Sequence, residues 1–302
     1  MFKSKNSMSR ALVRRETTAG YLFLLPSLFF FVTFVLYPMF LCIYTSFFDS
    51  NMGKNAVDVF VGLGNYKELF QDKLFLGALK NTVVIVVVAV PTLCAFSLWV
   101  ATAIYDMKPA LTSAFRCIFY LPVVTGSVAV TVVWKWMYNS RYGVFNYLFK
   151  SLGIIDQNIN WLGDARFALW CIILILFTTS VGQPIVLYVS ALGNVDHSLV
   201  EAAQVDGANR RQVFWKIKWA QIMPTTLYIL IITTINSFQC FALIQLLTSG
   251  GPTHSTDTIM YYIYYTAFKL YRYGYGNAMG VVLMIIIAVL SAVQFKLGQQ
   301  SD

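Results

Sequence analysis

A polar segment that interrupts the apolar runs of this sequence lies in residues 201–225, EAAQVDGANRRQVFWKIKWAQIMPT. Two carboxylates and four cations surround a single glycine there: Glu201, Asp206, Gly207, Arg210, Arg211, Lys216 and Lys218. The sequence has no HExxH pair for a metal and no GxxxxGK[ST] loop for a phosphate. The segment therefore favours a docking surface for a partner over a catalytic centre.

The cysteines and histidines of the sequence do not indicate thiol chemistry or a metal site. The five cysteines each lie in or beside an apolar run, and they are Cys42, Cys94, Cys117, Cys171 and Cys240. They form no CxxC pair, and no histidine lies near enough to complete a metal site. We expect free thiols that pack as small hydrophobic side chains. The two histidines, His197 and His254, fall in predicted loops.

The composition indicates that lipid is the solvent for most of the chain. Hydrophobic residues make up 58% of the 302 residues, charged residues only 12%, and the mean hydropathy is +0.65. A soluble domain of this length needs far more surface charge. The formal net charge of +9 is scattered between apolar runs and forms no basic stripe for nucleic acid. We therefore predict an integral membrane protein without a nucleic-acid partner.

Six apolar stretches are long enough for a helix to cross the hydrocarbon core, which takes about twenty residues. They lie near residues 21–44, 82–105, 115–138, 168–191, 227–247 and 279–297. The predicted fold is all-α, a polytopic membrane protein of about six transmembrane helices, with a membrane domain at 21–298 and a tail at 299–302. A basic arm at 1–20 precedes the first span, whose apolar run is too long for a cleaved signal peptide.

Lysine and arginine in short loops mark the cytoplasmic side of a membrane protein. The basic arm therefore places the N-terminus in the cytoplasm, and an even number of spans places the C-terminus there too. The same count puts residues 193–224, which carry four cations, in a cytoplasmic loop.

Proton-driven transport has no obvious carrier in the predicted spans. None has Asp, Glu or His near its middle, whereas proton-coupled carriers and pumps usually hold an ionisable relay there. We therefore expect the energy for any transport to enter from a partner.

Two short helices are predicted within residues 193–224. Ser198 and Glu201 have the spacing of a capping box, which starts a helix, and Gly207 supplies the left-handed residue that ends it. A second helix follows with apolar residues at helical spacing, and Pro224 marks its passage into the fifth span. The two helices form a rigid platform outside the membrane, with small alanines that let a partner approach closely.

This segment closely resembles the EAA motif of ABC importer permeases, which has the form E-A-A-x-x-x-G followed by I-x-x-P. Glu201, Ala202, Ala203 and Gly207 match the motif position by position, with Asp206 beside the glycine. The resemblance implies that the first helix is a coupling helix, which docks in a cleft of an ATPase subunit and carries ATP-driven closure to the spans. The alternative is that Glu201 only satisfies its own helix N-terminus.

Further stretches resemble the carbohydrate-uptake branch of these permeases, which contains the larger maltose permease, and they occur in the same order. They are FVGLGNYKELF at 60–70, ALKNT at 78–82, FYLPVV at 119–124, VVWKWMYN at 132–139, GVFNYLF at 143–149, LIQLLTSGGPTHST at 243–256 and YIYYTAF at 262–268. The resemblance implies the short, six-span form of a type I ABC importer permease. Lys218 and Ala220 depart from it, because the family has threonine and proline there, so we expect a straighter second helix.

The resemblance also implies a substrate cavity. Positions that line the maltose site fall on Val123, Ser127, Thr178, Val181, Gly182, Asn236, Ser237 and Cys240, with Gln183 and Gln239 as further candidates. Hydroxyls and amides suit sugar hydroxyl groups, and Phe238 or Phe241 suits the apolar face of a sugar. Pro184 frees a carbonyl in the fourth span, which often marks a break near a cavity. The alternative is ordinary helix packing, since Ser, Thr and Asn often bridge spans.

Gly250, Gly251 and Pro252 predict a forced turn outside the membrane. In the family this region faces the solute-binding protein, and residues 253–256 are then candidates for contact with it. Plain turn chemistry explains the same residues equally well.

The resemblance implies one permease subunit of a binding-protein-dependent ABC importer for a sugar or oligosaccharide, in the bacterial cytoplasmic membrane. The implied assembly holds a second permease chain, two ATPase subunits that bind ATP and Mg²⁺, and an extracytoplasmic solute-binding protein. This chain then needs no cofactor and has no catalytic or metal-binding residue. Two other classes stay open, namely an ATP-independent secondary carrier of a small neutral solute and an intramembrane enzyme or receptor. Glycerol phosphate ranks below neutral sugars, because the spans lack cations for an anion.

Overall fold

The computed structural model describes residues 3–50 and 58–299, with side chains described within 12–50 and 58–298. The helices of the described residues are α1 (Lys3–Phe31), α2 (Tyr37–Thr45), α3 (Gly64–Gln71), α4 (Lys73–Tyr105), α5 (Pro109–Val124), α6 (Ser127–Met137), α7 (Val144–Ser151), α8 (Ala168–Ser180), α9 (Gly182–Gly193), α10 (His197–Val205), α11 (Arg210–Val213), α12 (Trp219–Phe238), α13 (Ala242–Leu247), α14 (Ile259–Tyr264) and α15 (Tyr273–Gln299). Three π-helical turns, Val32–Leu36, Phe214–Lys218 and Tyr265–Lys269, continue α1, α11 and α14. Two short antiparallel strands, β1 (Phe48–Asp49) and β2 (Val59–Phe60), pair Phe48 with Phe60. Residues 1–2 of the predicted arm and 300–302 of the predicted tail lie outside the described residues.

The all-α, membrane-spanning fold predicted from the sequence is confirmed. Within the described residues, four helical stretches are long and apolar enough to cross a membrane: Leu12–Thr45, Lys73–Tyr105, Arg210–Leu247 and Tyr273–Gly298. Two bent helix pairs, α5 with α6 and α8 with α9, bring the number of spans to six if each pair crosses once. The basic arm and the first span share one helix, since α1 begins at Lys3.

The predicted spans at 115–138, 168–191 and 227–247 are interrupted, and the sequence indicates a break only in the second, at Pro184. α5 and α6 meet at 95°, because Thr125 and Gly126 between them have extended backbone. α8 and α9 bend by 41° at Val181, and α12 ends at Phe238 before α13 begins at Ala242. A hydropathy scan cannot detect such breaks, because the residues on both sides are apolar.

α4 is the central helix of the bundle and packs against α8, α9 and α12. Ile85, Leu93 and Ile104 along its length are buried, and they contact Ile185 and Leu192 of α9 in one core cluster. In lipid, helix association depends on close packing more than on the hydrophobic effect. The first span is different, since residues 12–35 are exposed and this span packs on α15 through α2.

The two ends of the bundle differ in what they carry, and we name them after α3 and α10. At the α3 end, where α4 begins, the Asn81 side chain donates to the carbonyl oxygens of Ser255 and Asp257 at 3.1 and 3.0 Å. At the α10 end, where α4 finishes, Tyr105 lies beside α10 and α11. The charged loop of residues 193–224 and the glycine turn of residues 250–252 therefore lie at opposite ends of the molecule.

One buried side chain ties together the loop of residues 139–161 at the α3 end. The Asn146 amide donates to the carbonyl oxygens of Ser140 and Ile159 at 3.1 and 2.9 Å. Its Oδ1 accepts the Ile159 backbone N–H at 3.1 Å and the Trp161 ring N–H at 2.9 Å. Asn146 therefore fixes the two arms of the loop relative to each other.

Replacing Asn146 by alanine is expected to loosen this loop, because its hydrogen-bond partners lose their contact without gaining another. Each buried polar group left unpaired costs about 1–3 kcal/mol. Chymotrypsin should then cleave the purified protein within residues 139–161 about tenfold faster than the parent chain. Asn158→Ala changes an exposed asparagine of the same loop and is the matched control. Equal cleavage of the two variants would contradict this role of Asn146.

Candidate functional site

A cavity of about 390 Å³ lies beside the middle of α4, where the two bent helix pairs face α12. Both breaks border it, with Thr125 between α5 and α6 and Ser180 at the end of α8. Pro184 has no N–H for the Ser180 carbonyl one turn earlier, so the backbone ladder is incomplete there. The helix breaks therefore bring polar groups to the wall of the cavity. The sequence predicted one of these breaks from Pro184.

Five residues predicted for a substrate site line this cavity, namely Val123, Ser127, Gln183, Asn236 and Ser237. They come from α5, α6, α9 and α12, which are far apart in the chain. The side chains of Ser127, Gln183 and Asn236 make no hydrogen bond to any other residue within the described ranges. Their hydroxyl and amide groups are therefore available to a molecule in the cavity.

Four further polar residues line the cavity and were not predicted: Thr125, Thr179, Ser180 and Thr233. The hydroxyl groups of Thr179 and Thr233 donate to the carbonyl oxygens of Ile175 and Ile229 at 2.9 and 2.6 Å. They therefore offer lone pairs to a ligand, while their protons are already used. The sequence prediction had named Thr178, but a shift of one residue turns a helical side chain by about 100°.

Thr178, Val181, Gly182, Gln239 and Cys240 are the predicted residues that do not line the cavity. The Thr178 hydroxyl donates to the Ile175 carbonyl at 2.9 Å, which occupies its proton. Gly182 lies against the backbone of α5, where a Cβ atom would overlap the Phe119 carbonyl oxygen.

Gln239 is exposed at the end of α12, whereas Cys240 is buried and its carbonyl accepts from the Thr258 hydroxyl at 2.7 Å. The two phenylalanines expected to face a sugar also lie elsewhere. Phe238 is only 1% exposed and packs in the core with α15, and Phe241 packs on Tyr264 in a tilted arrangement with ring centroids 4.9 Å apart. The cavity wall, as far as the structure describes it, holds no aromatic ring.

The cavity wall combines hydroxyl and amide groups with aliphatic side chains, and no charged side chain is found among the described residues that form it. Such groups bind a neutral hydroxylated molecule by directional hydrogen bonds. An anion would lose its hydration there without gaining a cation in return. The geometry therefore suits a neutral polar ligand.

The short helix predicted within residues 193–224 is confirmed as α10, but the predicted capping box of Ser198 and Glu201 is wrong. The N-cap is Asp196, whose carboxylate accepts the Ser198 backbone N–H at 2.9 Å and its hydroxyl at 2.7 Å. These hydrogen bonds hold the pKa of the Asp196 carboxyl below its ordinary value. A charged acceptor forms stronger hydrogen bonds than a serine hydroxyl, which explains why Asp196 takes the position.

α10 presents most of its residues to solvent. Glu201, Ala202, Asp206 and Gly207 are exposed, and Ala203 is half-buried. Gly207 has φ +82°, the left-handed conformation predicted for the helix end. Val205 is 88% exposed and Leu199 is 50% exposed, although neither was singled out from the sequence. α10 therefore carries two exposed apolar side chains beside its charged residues.

The second helix of the loop is continuous with the fifth span. Helical structure runs from Arg210 through the π-helical turn to Phe238, and Pro224 lies inside α12 instead of marking a passage. The Gln221 side-chain oxygen accepts the Asp196 backbone N–H at 3.0 Å, which joins the start of α10 to α12. One rigid element therefore connects the charged loop to the cavity.

The turn predicted at Gly250, Gly251 and Pro252 is confirmed at the α3 end. Gly250 has φ +83°, and a Cβ atom there would lie on the carboxylate of Asp257. Asp257 is buried beneath the turn, and its Oδ2 lies 2.7 Å from Nδ1 of the exposed His254. Burial raises the pKa of the Asp257 carboxyl, although the hydrogen bond with His254 opposes the shift. The hydroxyl of the buried Thr256 donates to the Gly251 carbonyl oxygen at 2.7 Å, so a buried side chain holds the turn.

Residues 70–299 match the protein family described as binding-protein-dependent transport system inner membrane component. The chain is 32% identical to the lactose transport system permease protein LacF of Rhizobium radiobacter, over 94% of this chain and 95% of that protein. It is 32% identical to the multiple sugar-binding transport system permease protein MsmF of Streptococcus mutans, over 94% of this chain and 96% of that protein. Its fold is similar to a chain of a bacterial alginate ABC transporter solved in complex with an alginate pentasaccharide-bound periplasmic protein. That similarity has a TM-score of 0.77 at 23% identity and covers 93% of each chain.

Proposed function

The chain belongs to the family of binding-protein-dependent transport system inner membrane components, and we propose from this membership that it is the permease subunit of an ABC importer for a neutral sugar or oligosaccharide. The observation that carries the substrate class is the cavity, where amide and hydroxyl groups meet without a charged side chain among the described residues. The names of LacF and MsmF, which refer to lactose and to multiple sugars, support the same class.

The proposed orientation places the α10 end in the cytoplasm and the α3 end outside. Support comes from Arg210, Arg211, Lys216 and Lys218, which all lie at the α10 end. The proposed assembly holds a second permease chain, two ATPase subunits that bind ATP and Mg²⁺, and an extracytoplasmic solute-binding protein. The turn at 250–252 then faces that binding protein, and this chain needs no cofactor of its own.

In this proposal α10 is the coupling helix. Glu201, Ala202 and Val205 form its exposed docking surface on the ATPase subunit, with the small alanine allowing close approach. ATP binding closes the ATPase pair and moves α10, and hydrolysis resets it. The hydrogen bond from Asp196 to Gln221 and the continuous helix beyond it carry the movement to the cavity.

Asn236→Leu is expected to reduce substrate uptake about tenfold, the effect of about 1.4 kcal/mol lost when one hydrogen bond to the substrate is removed. Gln239→Leu is the matched control, because Gln239 lies three residues away on the same chain segment but outside the cavity. Uptake of labelled sugar by cells that express each variant measures the effect. Equal uptake by the two variants would show that Asn236 in the cavity does not contact the transported sugar.

The proposal is tested with the complex purified from its native membrane and placed in liposomes, with its binding protein outside and ATP inside. Sugar uptake should require both ATP and the binding protein. Uptake by this chain alone, without ATP, would contradict the proposal and favour a secondary carrier of a small neutral solute.

A further inference from the structure

A second cavity, of about 360 Å³, lies at the α10 end, between the final turn of α4 and the charged loop. α4 contributes Tyr105 and the residue that follows it, Asp106, and α10 contributes His197 and Gln204. The floor is aliphatic, formed in part by Leu192 in the last turn of α9 and by Val195, which follows that helix. No role in substrate translocation accounts for this cavity.

Two cations line this second cavity, and neither has a carboxylate partner. The described ion pairs join other residues, so Arg210 and Lys218 are unpaired within the part of the chain that the structure describes. Lys218 is half-buried, and its Nζ lies 5.4 Å from the centre of the Tyr105 ring. Asp106 is the carboxylate among the described lining residues, so the cations outnumber it.

The helical register explains why these two cations meet. Arg210 and Lys218 are about two turns apart along one helical stretch, which places them on the same face. Arg211 and Lys216 have the same charges, but neither lines this cavity. The loop thus divides its four cations into one pair that shares a cavity and one pair that does not.

We propose that this cavity binds a phosphate group, carried by an anionic phospholipid or by a soluble phosphate ester. The planar guanidinium of Arg210 can hold two phosphate oxygens, and the Lys218 ammonium supplies a second, compact charge. The aliphatic floor lowers the dielectric constant on one side of the site, which strengthens the attraction between the charges, while Arg210 itself is exposed to solvent. The cavity also leaves room for the uncharged part of the ligand beside Gln204 and His197.

Such a ligand would contact α4 and α10 at once. It would bridge Tyr105 at the end of α4 to Gln204 of α10, and so restrict the movement of the charged loop relative to the bundle. The inference goes beyond the proposed function, because the binding itself depends on neither ATP nor a sugar.

The test uses the complete complex, purified in detergent, and native mass spectrometry without ATP. Phosphatidylglycerol and glycerol 3-phosphate are the two probes. Phosphatidylcholine, a phospholipid without net charge, is the control that shows whether a net negative charge is required. The parent complex should retain one of the two probes, and which one is retained identifies the source of the phosphate. The double variant Arg210→Gln/Lys218→Gln should bind that probe at least about tenfold more weakly.

Arg211→Gln/Lys216→Gln removes the same net charge and should bind within about twofold of the parent. The conservative pair Arg210→Lys/Lys218→Arg should also retain the probe, which guards against a loss caused by misfolding.

Equal weakening by both glutamine pairs would overturn the inference, since the loss of net charge alone would explain it. Failure of the parent complex to retain either probe, or equal retention of phosphatidylcholine, would overturn it too. A complex that binds the probe but does not transport sugar would leave this inference standing and contradict the proposed function.

Discussion

Glu201→Lys is expected to abolish ATP-driven uptake while the chain remains inserted and the complex still hydrolyses ATP. Glu201 is exposed on α10 and has no hydrogen-bond partner within the described ranges, so the change leaves the fold of the chain intact. Its effect falls on the docking surface, where a reversed charge meets the group that the carboxylate had faced. Losing a charge pair at an interface costs about 2–5 kcal/mol, so uptake should fall about 30-fold or more.

Uptake and ATP hydrolysis should be measured on the same purified complex in liposomes. Asp156→Lys is the matched control, because it reverses an exposed carboxylate at the α3 end, far from the ATPase subunits in the proposed orientation. That variant should transport as the parent does. Unchanged uptake by Glu201→Lys would remove Glu201 from the coupling mechanism and leave it a purely local role in α10.

Gly182→Ala is expected to destabilise the bundle, because the added methyl group has no room between α9 and α5. A Cβ atom at this position would overlap the Phe119 carbonyl oxygen and would lie 2.9 Å from the Tyr120 Cα. Both are backbone atoms of α5, so no side-chain rotation relieves the contact and the helices must separate. Overpacking of this kind costs about 1–3 kcal/mol or more.

The midpoint of thermal unfolding in detergent should fall by about 5 °C for Gly182→Ala. Gly77→Ala is the matched control, since Gly77 also lies in a helix but has nothing within 4 Å of the added atom. Alanine is the better helix former, so this variant should be as stable as the parent or more stable. A midpoint for Gly182→Ala equal to that of Gly77→Ala would show that α5 and α9 approach less closely than described.

The sequence was informative about spans because apolar length is a direct consequence of membrane thickness. It said less about breaks inside those spans. Pro184 predicts the bend at Val181, because proline removes a backbone hydrogen-bond donor. No residue in the sequence indicates the 95° turn at Thr125 and Gly126 in the same way. That turn depends on extended backbone at two residues whose neighbours are apolar on both sides.

The candidate site was predicted in part for a similar reason. Ser127, Gln183 and Asn236 were found because motifs anchor their positions, whereas Thr179 was missed in favour of Thr178 because helix rotation near a break cannot be read from spacing. The capping box was predicted at Ser198 but forms between Asn209 and Gln212, since Asp196 already occupies the first helix start. Local competition between acceptors decides such caps.

The most direct test of the importer is a single purification. The chain is tagged, extracted gently from its native membrane, and assayed for ATP hydrolysis and for co-purifying chains in the same sample. We expect an ATPase subunit and a second permease, with hydrolysis raised by a sugar-loaded binding protein. A lone chain that hydrolyses no ATP and still moves solute into vesicles would contradict it.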